Sequence, residues 1–187
     1  MSSNLTYDTG ITVAEVLQSG PVTANILGEL MRLSLRVKPA DRVAVAKALG
    51  ISLPVKIGRS QSKAGLMSAC LGPEEWFVKG DKHKYAGLYE KALKLSSKYV
   101  MSVTDVSHRN VGIELTGKQA AETVNVGCPL DLSVEKFPIG KCTRTVYENA
   151  PILLYRAAED RFTVECWRSF APYVMGLMTA HALGDSL

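Results

Sequence analysis

The chain has 187 residues, 47 % hydrophobic and 21 % charged, a balance that excludes a disordered or fibrous protein. At this length about 70 % of the extended surface is buried on folding, enough for one core or two small lobes sharing one, without metal or disulfide staples. The net charge of +4 comes from 22 basic and 18 acidic side chains that are interleaved, not blocked. Between Lys79 and Lys98 the bases are interrupted by Asp81 and Glu90, which fits a solvated helix face, so nucleic acid is not an expected partner.

No stretch reaches 18 uncharged apolar residues, and no membrane span is expected. Met1 to Gly10 has no basic region followed by an apolar run, which points to a cytoplasmic chain. The four cysteines, Cys70, Cys128, Cys142 and Cys166, lie far apart without a Cys-x-x-Cys pair, so they read as buried free thiols and not as a zinc site.

Residues 1–28 form an amino-terminal arm with turn signals at Asp8-Thr9-Gly10 and Ser19-Gly20-Pro21. It is either a loose terminus or a segment laid across a neighbour, since Ile11, Val13, Val16 and Leu17 need a dry surface. Next, Leu33, Leu35 and Val37 alternate with Arg32, Ser34 and Arg36, the period of a half-buried strand. Pro39 then opens a helix to Leu49, with Val43, Ala46 and Leu49 on one face and Gly50 as its stop. A strand from Ala64 to Leu71, a Gly72-Pro73 turn and a strand at Trp76-Phe77-Val78 follow. Lys82 to Leu95 has helical spacing, and Tyr99 to Val106 reads as a strand, completing a β-α-β-β-α-β order.

A second such order starts with the strand Val111, Ile113, Leu115 and a short helix carrying Ala120, Ala121 and Val124 inward, ended by Gly127. A hairpin from Cys142–Tyr147 to Ile152–Arg156, a strand Phe162–Cys166 and a helix from Ser169 to Leu183 complete it. That last helix aligns Phe170, Val174, Leu177 and His181. The expected fold is α+β with two tandem ferredoxin-like β-α-β-β-α-β units. They divide residues 29–187 into halves at 29–106 and 107–187.

The residues offer little catalytic machinery. Asp105, Ser107 and His108 suggest a triad, but adjacent strand residues point to opposite faces, so Ser107 and His108 do not meet as nucleophile and base. These side chains read better as caps of a polar junction. Phosphate-binding glycine loops and a His-Glu-x-x-His motif are missing, and the acids are too scattered for spacing to name a paired-carboxylate site. Trp167, Arg168, Phe170 and Tyr173 form an aromatic and arginine cluster that serves equally as an interface anchor or as internal packing.

Several ordered blocks resemble the gamma subunit family of heterotetrameric sarcosine oxidase: Asp105-Val106-Ser107-His108-Arg109-Asn110-Val111, Gly127-Cys128-Pro129-Leu130-Asp131-Leu132, Phe137-Pro138-Ile139-Gly140-Lys141-Cys142-Thr143-Arg144-Thr145 and Arg168-Ser169-Phe170-Ala171-Pro172-Tyr173-Val174. Gly72-Pro73-Glu74-Glu75-Trp76 is similar to that family's first hairpin. The resemblance implies the fold of the N-terminal region of aminomethyltransferase-like folate-binding proteins. Catalytic relatives in that superfamily carry acids in a hairpin resembling Gly-x-Ile-x-Asp-Asp, but here the matching segment ends in Leu154 and Tyr155. Neither side chain is a carboxylate base, which implies a non-catalytic relative.

The resemblance further implies assembly with alpha, beta and delta subunits into an oxidase that converts sarcosine to glycine, hydrogen peroxide and formaldehyde or 5,10-methylenetetrahydrofolate. FAD, FMN, NAD, zinc and tetrahydrofolate would sit on the other subunits and none on this chain. Asp105, Ser107, His108, Arg109, Arg144, Trp167, Arg168, Phe170 and Tyr173 are the expected interface or structural residues. A free-standing folate-binding or one-carbon transfer protein is the alternative on the same fold.

Overall fold

The computed structural model describes residues 17–19 and 21–183, with side chains described from 21 to 180. Residues 1–16 of the expected arm and the side chain of His181 lie outside the described residues. In chain order the elements begin with β1 (Leu17–Ser19), β2 (Val22–Leu27), β3 (Leu30–Val37) and α1 (Arg42–Leu49). Then come β4 (Ser60–Lys63), β5 (Leu66–Gly72), β6 (Glu75–Asp81), α2 (Leu88–Leu95) and β7 (Met101–Asp105). The remainder is β8 (Asn110–Thr116), α3 (Ala120–Gly127), β9 (Cys142–Tyr147), β10 (Ala150–Ala158), β11 (Arg161–Trp167) and α4 (Ala171–Leu183). A 3₁₀ turn at Arg168–Phe170 leads into α4.

The architecture is mixed α+β with two antiparallel sheets. The first sheet runs β4-β5-β6-β3-β7 and the second β1-β2-β8-β11-β10-β9. In the first, β3 lies between β6 and β7; in the second, β8 lies between β11 and β2. Residues 22–27, placed by sequence in the amino-terminal segment, therefore run beside β8, from Thr23 opposite Thr116 to Leu27 opposite Gly112. The physical reason is burial: Val22 and Ala24 on β2 enter the apolar cluster under α3 and α4. The strand closing the second sheet on this side thus comes from the start of the chain.

Each sheet is covered by helices on one face. Leu33, Leu35, Trp76 and Val78 pack with Val45 and Leu49 of α1 and Leu88 and Ala92 of α2. Ile113, Phe162 and Val164 pack with Val124 of α3 and Val174, Met175 and Met178 of α4. The opposite faces meet each other through a third cluster, in which Met67, Ala69 and Phe77 of the first sheet join Cys142, Leu153 and Tyr155 of the second. This face-to-face contact explains why Met31, Arg32 and Leu33 are buried in succession although the strand alternates apolar and polar residues.

Several expected elements shift. The helix expected from Lys82 begins at Leu88, because the Asp81 carboxylate accepts the His83 and Lys84 amides (3.0 and 2.7 Å) and holds a turn there. Those bonds also hold the Asp81 carboxyl below its ordinary value. On α1 the buried residues are Val45 and Leu49, whereas Val43 faces outward at 65 % exposure. Gly50 ends α1 as expected, in the left-handed region at φ +74°. Gly127 ends α3 for a different reason: a Cβ there would lie 2.7 Å from the Tyr147 ring.

Gly117 links β8 to α3 at φ +126°, and a Cβ there would fall 1.9 Å from the Pro21 carbonyl oxygen. Gly117→Ala is expected to cost at least about 2 kcal/mol, lowering the melting temperature by about 4–8 °C. Thermal denaturation followed by circular dichroism checks it, and an unchanged midpoint would contradict this packing of the chain start.

Candidate functional site

Charged side chains converge where the two sheets face each other. Arg32 on β3 and Lys79 on β6 project from the first sheet toward Glu165 on β11 of the second. Arg32 Nε donates to Glu165 Oε2 at 2.7 Å, and both side chains are fully buried. Lys79 Nζ stands 3.1 Å from Oε1 as an ion pair, although its direction falls outside that of a hydrogen bond. The same ammonium donates to the Tyr155 hydroxyl at 3.1 Å and lies 4.8 Å from the centre of that ring. Two cations and one carboxylate therefore share a buried space, with the Tyr155 hydroxyl as an additional acceptor. Gly112 opposes Glu165 in the sheet because a Cβ would come within 2.8 Å of Glu165 Oε1 and 3.0 Å of Arg32 Nη2.

Tyr155 is only 8 % exposed and is engaged by Lys79. Leu154 faces the opposite way, into the cluster beneath α3 and α4. Glu165 is held by two cations, so its carboxylate bridges the sheets. Arg156, also buried, donates instead to the Leu132 and Phe137 carbonyls at 3.0 and 2.9 Å, clamping the loop between α3 and β9.

The nine candidate residues divide into groups. Asp105 accepts the Ser107 amide at 2.8 Å, and Ser107 Oγ in turn accepts the Arg32 amide at 2.9 Å. Ser107 thus ties the junction after β7 to β3. Asp105, Ser107 and His108 line one small cleft of about 210 Å³ together with Glu29, Lys82 and Tyr89.

Arg109, Arg144 and Trp167 meet at a second cleft of about 230 Å³, on the rim of the inter-sheet contact beside Glu165. The Arg109 guanidinium lies 5.7 Å from the centre of the Trp167 ring, and its Nε donates to Asn110 at 3.0 Å. Arg144 on β9 reaches across to Glu75 on β6 with both terminal nitrogens, one contact being 3.1 Å. The hydrogen bond from Arg144 holds the Glu75 carboxyl below its ordinary value. Phe170 tilts toward Trp167, with ring centres 6.3 Å apart, and is partly buried against the core under α4. The Arg168 amide donates to the Arg109 carbonyl at 2.8 Å, fixing the turn. Tyr173 is 42 % exposed on α4 and Trp167 49 % exposed at the end of β11.

Both clefts are smaller than the roughly 300–1,000 Å³ of common small-molecule pockets. Among the described residues no group of three His, Cys, Asp or Glu side chains is placed to hold a metal ion. Nor is any helix there long and apolar enough to cross a membrane. Sequence reasoning missed Arg32, Lys79 and Glu165. The available signal was charge in the middle of strands, together with a glycine inside β8.

A family model described as "Sarcosine oxidase, gamma subunit family" matches residues 35–182. Sarcosine oxidase subunit gamma from Corynebacterium sp. (strain U-96) is 27 % identical over 177 residues, covering 93 % of this chain and 83 % of that protein. The corresponding protein from Arthrobacter sp. is 27 % identical over 155 residues, covering 81 % and 75 %. A chain in the structure of heterotetrameric sarcosine oxidase from Corynebacterium sp. U-96 in complex with pyrrole 2-carboxylate superposes with a TM-score of 0.83 and 25 % identity, covering 93 % of this chain and 90 % of that one. The glycine cleavage system aminomethyltransferase T from Bartonella henselae shares the fold at a TM-score of 0.66 and 14 % identity, over 86 % of this chain and 46 % of that one.

Glu165→Ala leaves Arg32 and Lys79 buried without their carboxylate and is expected to destabilise the fold by about 3–5 kcal/mol. Joint replacement with Arg32→Met, Lys79→Met and Glu165→Leu should cost much less, and urea denaturation of both variants measures the difference. Burial pushes the Cys142 thiol up to about 11 and the Cys166 thiol up to about 12, from an ordinary value of 9.0. Their folded values exceed the unfolded one, so their contribution is intact below about pH 9 and is lost as pH rises toward 11–12. A Cys142→Ala/Cys166→Ala double variant should therefore lose less stability than the parent between pH 8 and 10, as read by urea midpoints.

Proposed function

The chain belongs to the sarcosine oxidase gamma subunit family, and from that premise we propose that it is the non-catalytic assembly subunit of a heterotetrameric sarcosine oxidase. The observation that carries this reading is the family match over residues 35–182, supported by the near full-length superposition on a chain of a heterotetrameric enzyme. In this reading the partners are alpha, beta and delta chains. The complex oxidises sarcosine with oxygen and water, yielding glycine, hydrogen peroxide and formaldehyde, or 5,10-methylenetetrahydrofolate when the folate carrier accepts the one-carbon unit. FAD, FMN, NAD, zinc and tetrahydrofolate belong to the other chains, and the assembly works in the cytoplasm.

The disposition of reactive groups supports a structural role. Ser107 binds the Arg32 backbone, Tyr155 accepts from Lys79, and Glu165 bridges the sheets, so each is committed to holding the fold. The exposed groups with interface character are Trp167, Arg109 and Tyr173, with Arg144 at the edge of the same cleft as Trp167. In this proposal Trp167 stacked under Arg109 is the anchor presented to a large subunit.

Co-expression with the three other oxidase chains from the same genome, followed by native mass spectrometry, tests the reading. A complex of four different chains that retains flavin and oxidises sarcosine is expected. A flavin-bearing, active complex formed without this chain, or no association with it, would overturn the assembly role. Trp167→Ala is expected to weaken retention in the complex at least tenfold while shifting the melting temperature of the isolated chain by less than about 3 °C, because the indole is half exposed. Retention equal to the parent's would remove Trp167 as the anchor.

A further inference from the structure

Helix α1 and the connector after it carry apolar side chains on the side away from the first sheet. Val45 and Leu49 occupy the inner side of the helix, yet Val43 on its outer side is 65 % exposed. In the connector, Leu53 and Pro54 turn inward, whereas Val55 and Ile57 are 70 % and 54 % exposed. Between helix and connector runs a groove of about 430 Å³, floored by Val43, Ala46, Ile51 and Val55. Val43, Ile51 and Val55 line one groove together, so they are not apolar side chains scattered singly over the surface.

Polar contacts hold the groove in shape. Arg42 donates to the Leu53 carbonyl at 2.7 Å, and the Trp76 indole donates to the Pro54 carbonyl at 2.8 Å. Gly58, at φ +77°, donates to Cys70 and accepts from Cys142, both at 2.9 Å, so the connector is tied to both sheets. An exposed apolar strip on a backbone fixed in this way is preorganised for binding, since little entropy remains to be lost on docking.

Charge narrows the occupant. Arg42, Lys56 and Arg59 line the groove and no carboxylate does. Among the described residues, none of the three cations forms an ion pair with an Asp or Glu. An apolar floor with an uncompensated cationic rim complements a segment that offers an aliphatic or aromatic side chain flanked by carboxylates.

We propose that this groove is a second docking surface, which takes an acidic, apolar-anchored segment of a partner subunit. It shares no lining residue with the cleft at Trp167, so the chain would hold its assembly at two separate places. The inference rests on the assembly reading, and its test is arranged so that the two fail separately.

In the co-expressed complex, Val55→Glu or Val43→Glu places a carboxylate in the groove against the partner's own acids. Both positions are exposed, and circular dichroism of the isolated variants confirms their fold. Each is expected to lower retention of this chain at least tenfold, by native mass spectrometry at submicromolar concentration. Zero-length coupling with a carbodiimide should join Lys56 to a carboxylate of another subunit, and Lys56→Arg should abolish that product while preserving the charge. If the parent chain assembles and both variants are retained equally, the groove proposal falls and the assembly reading stands. A carbodiimide product joining Lys56 to a second copy of this chain, or no product at Lys56, also overturns it. Failure of the parent chain to assemble at all removes both.

Discussion

A carboxylate placed between two sheets governs how this molecule is built. Glu165 comes from the second sheet, Arg32 and Lys79 from the first, and they meet where bulk water is excluded. Removing such charges from water costs several kcal/mol per ion before any attraction is counted. The arrangement therefore persists only while the sheets dock in the one register that brings the three groups together. Apolar packing between Phe77, Leu153 and their neighbours drives the faces together but tolerates sliding, whereas the Arg32–Glu165 hydrogen bond is directional. Gly112 follows from the same constraint, since any side chain there would occupy the space of the carboxylate and the guanidinium.

A second constraint is topological. The sheet containing Glu165 needs a strand beyond β8, and that strand is supplied by residues 22–27. Strand β2 and helix α4, near the two ends of the described chain, thus share one apolar cluster, with Val22 and Ala24 packing in a core with Met175 and Met178. The short link from β2 to β3 also carries the chain from one sheet into the other. The two sheets consequently act on each other through covalent continuity, the inter-sheet cluster and the buried charges at once.

These commitments shape what the chain can do. The Ser107 and Tyr155 hydroxyls, the Lys79 ammonium and the Glu165 carboxylate are used as internal ties. Among the groups that face outward are a half-exposed indole under a guanidinium, an arginine bound to Glu75 across the sheets, and an apolar strip lined with bases. Such surfaces recognise other chains by burying aromatic and aliphatic groups, with charge steering the approach.

Much of the architecture is legible in the sequence because it is local. Alternation marks β3 and β8, helical spacing with Gly50 marks α1, and the ordered blocks after Asp105 carry the family resemblance. The capping role of Asp105 and Ser107 follows from the same local rules. Only the tertiary structure decides which charged strand residues turn inward, because period two assigns Arg32 and Glu165 to a face without saying whether water or another sheet lies beyond it. Nor does periodicity reveal that residues 22–27 pair with a strand almost ninety positions away, or that Val43 faces out while Val45 faces in. Those outcomes depend on long-range docking of surfaces, where the free energy comes from partners that are distant in the chain.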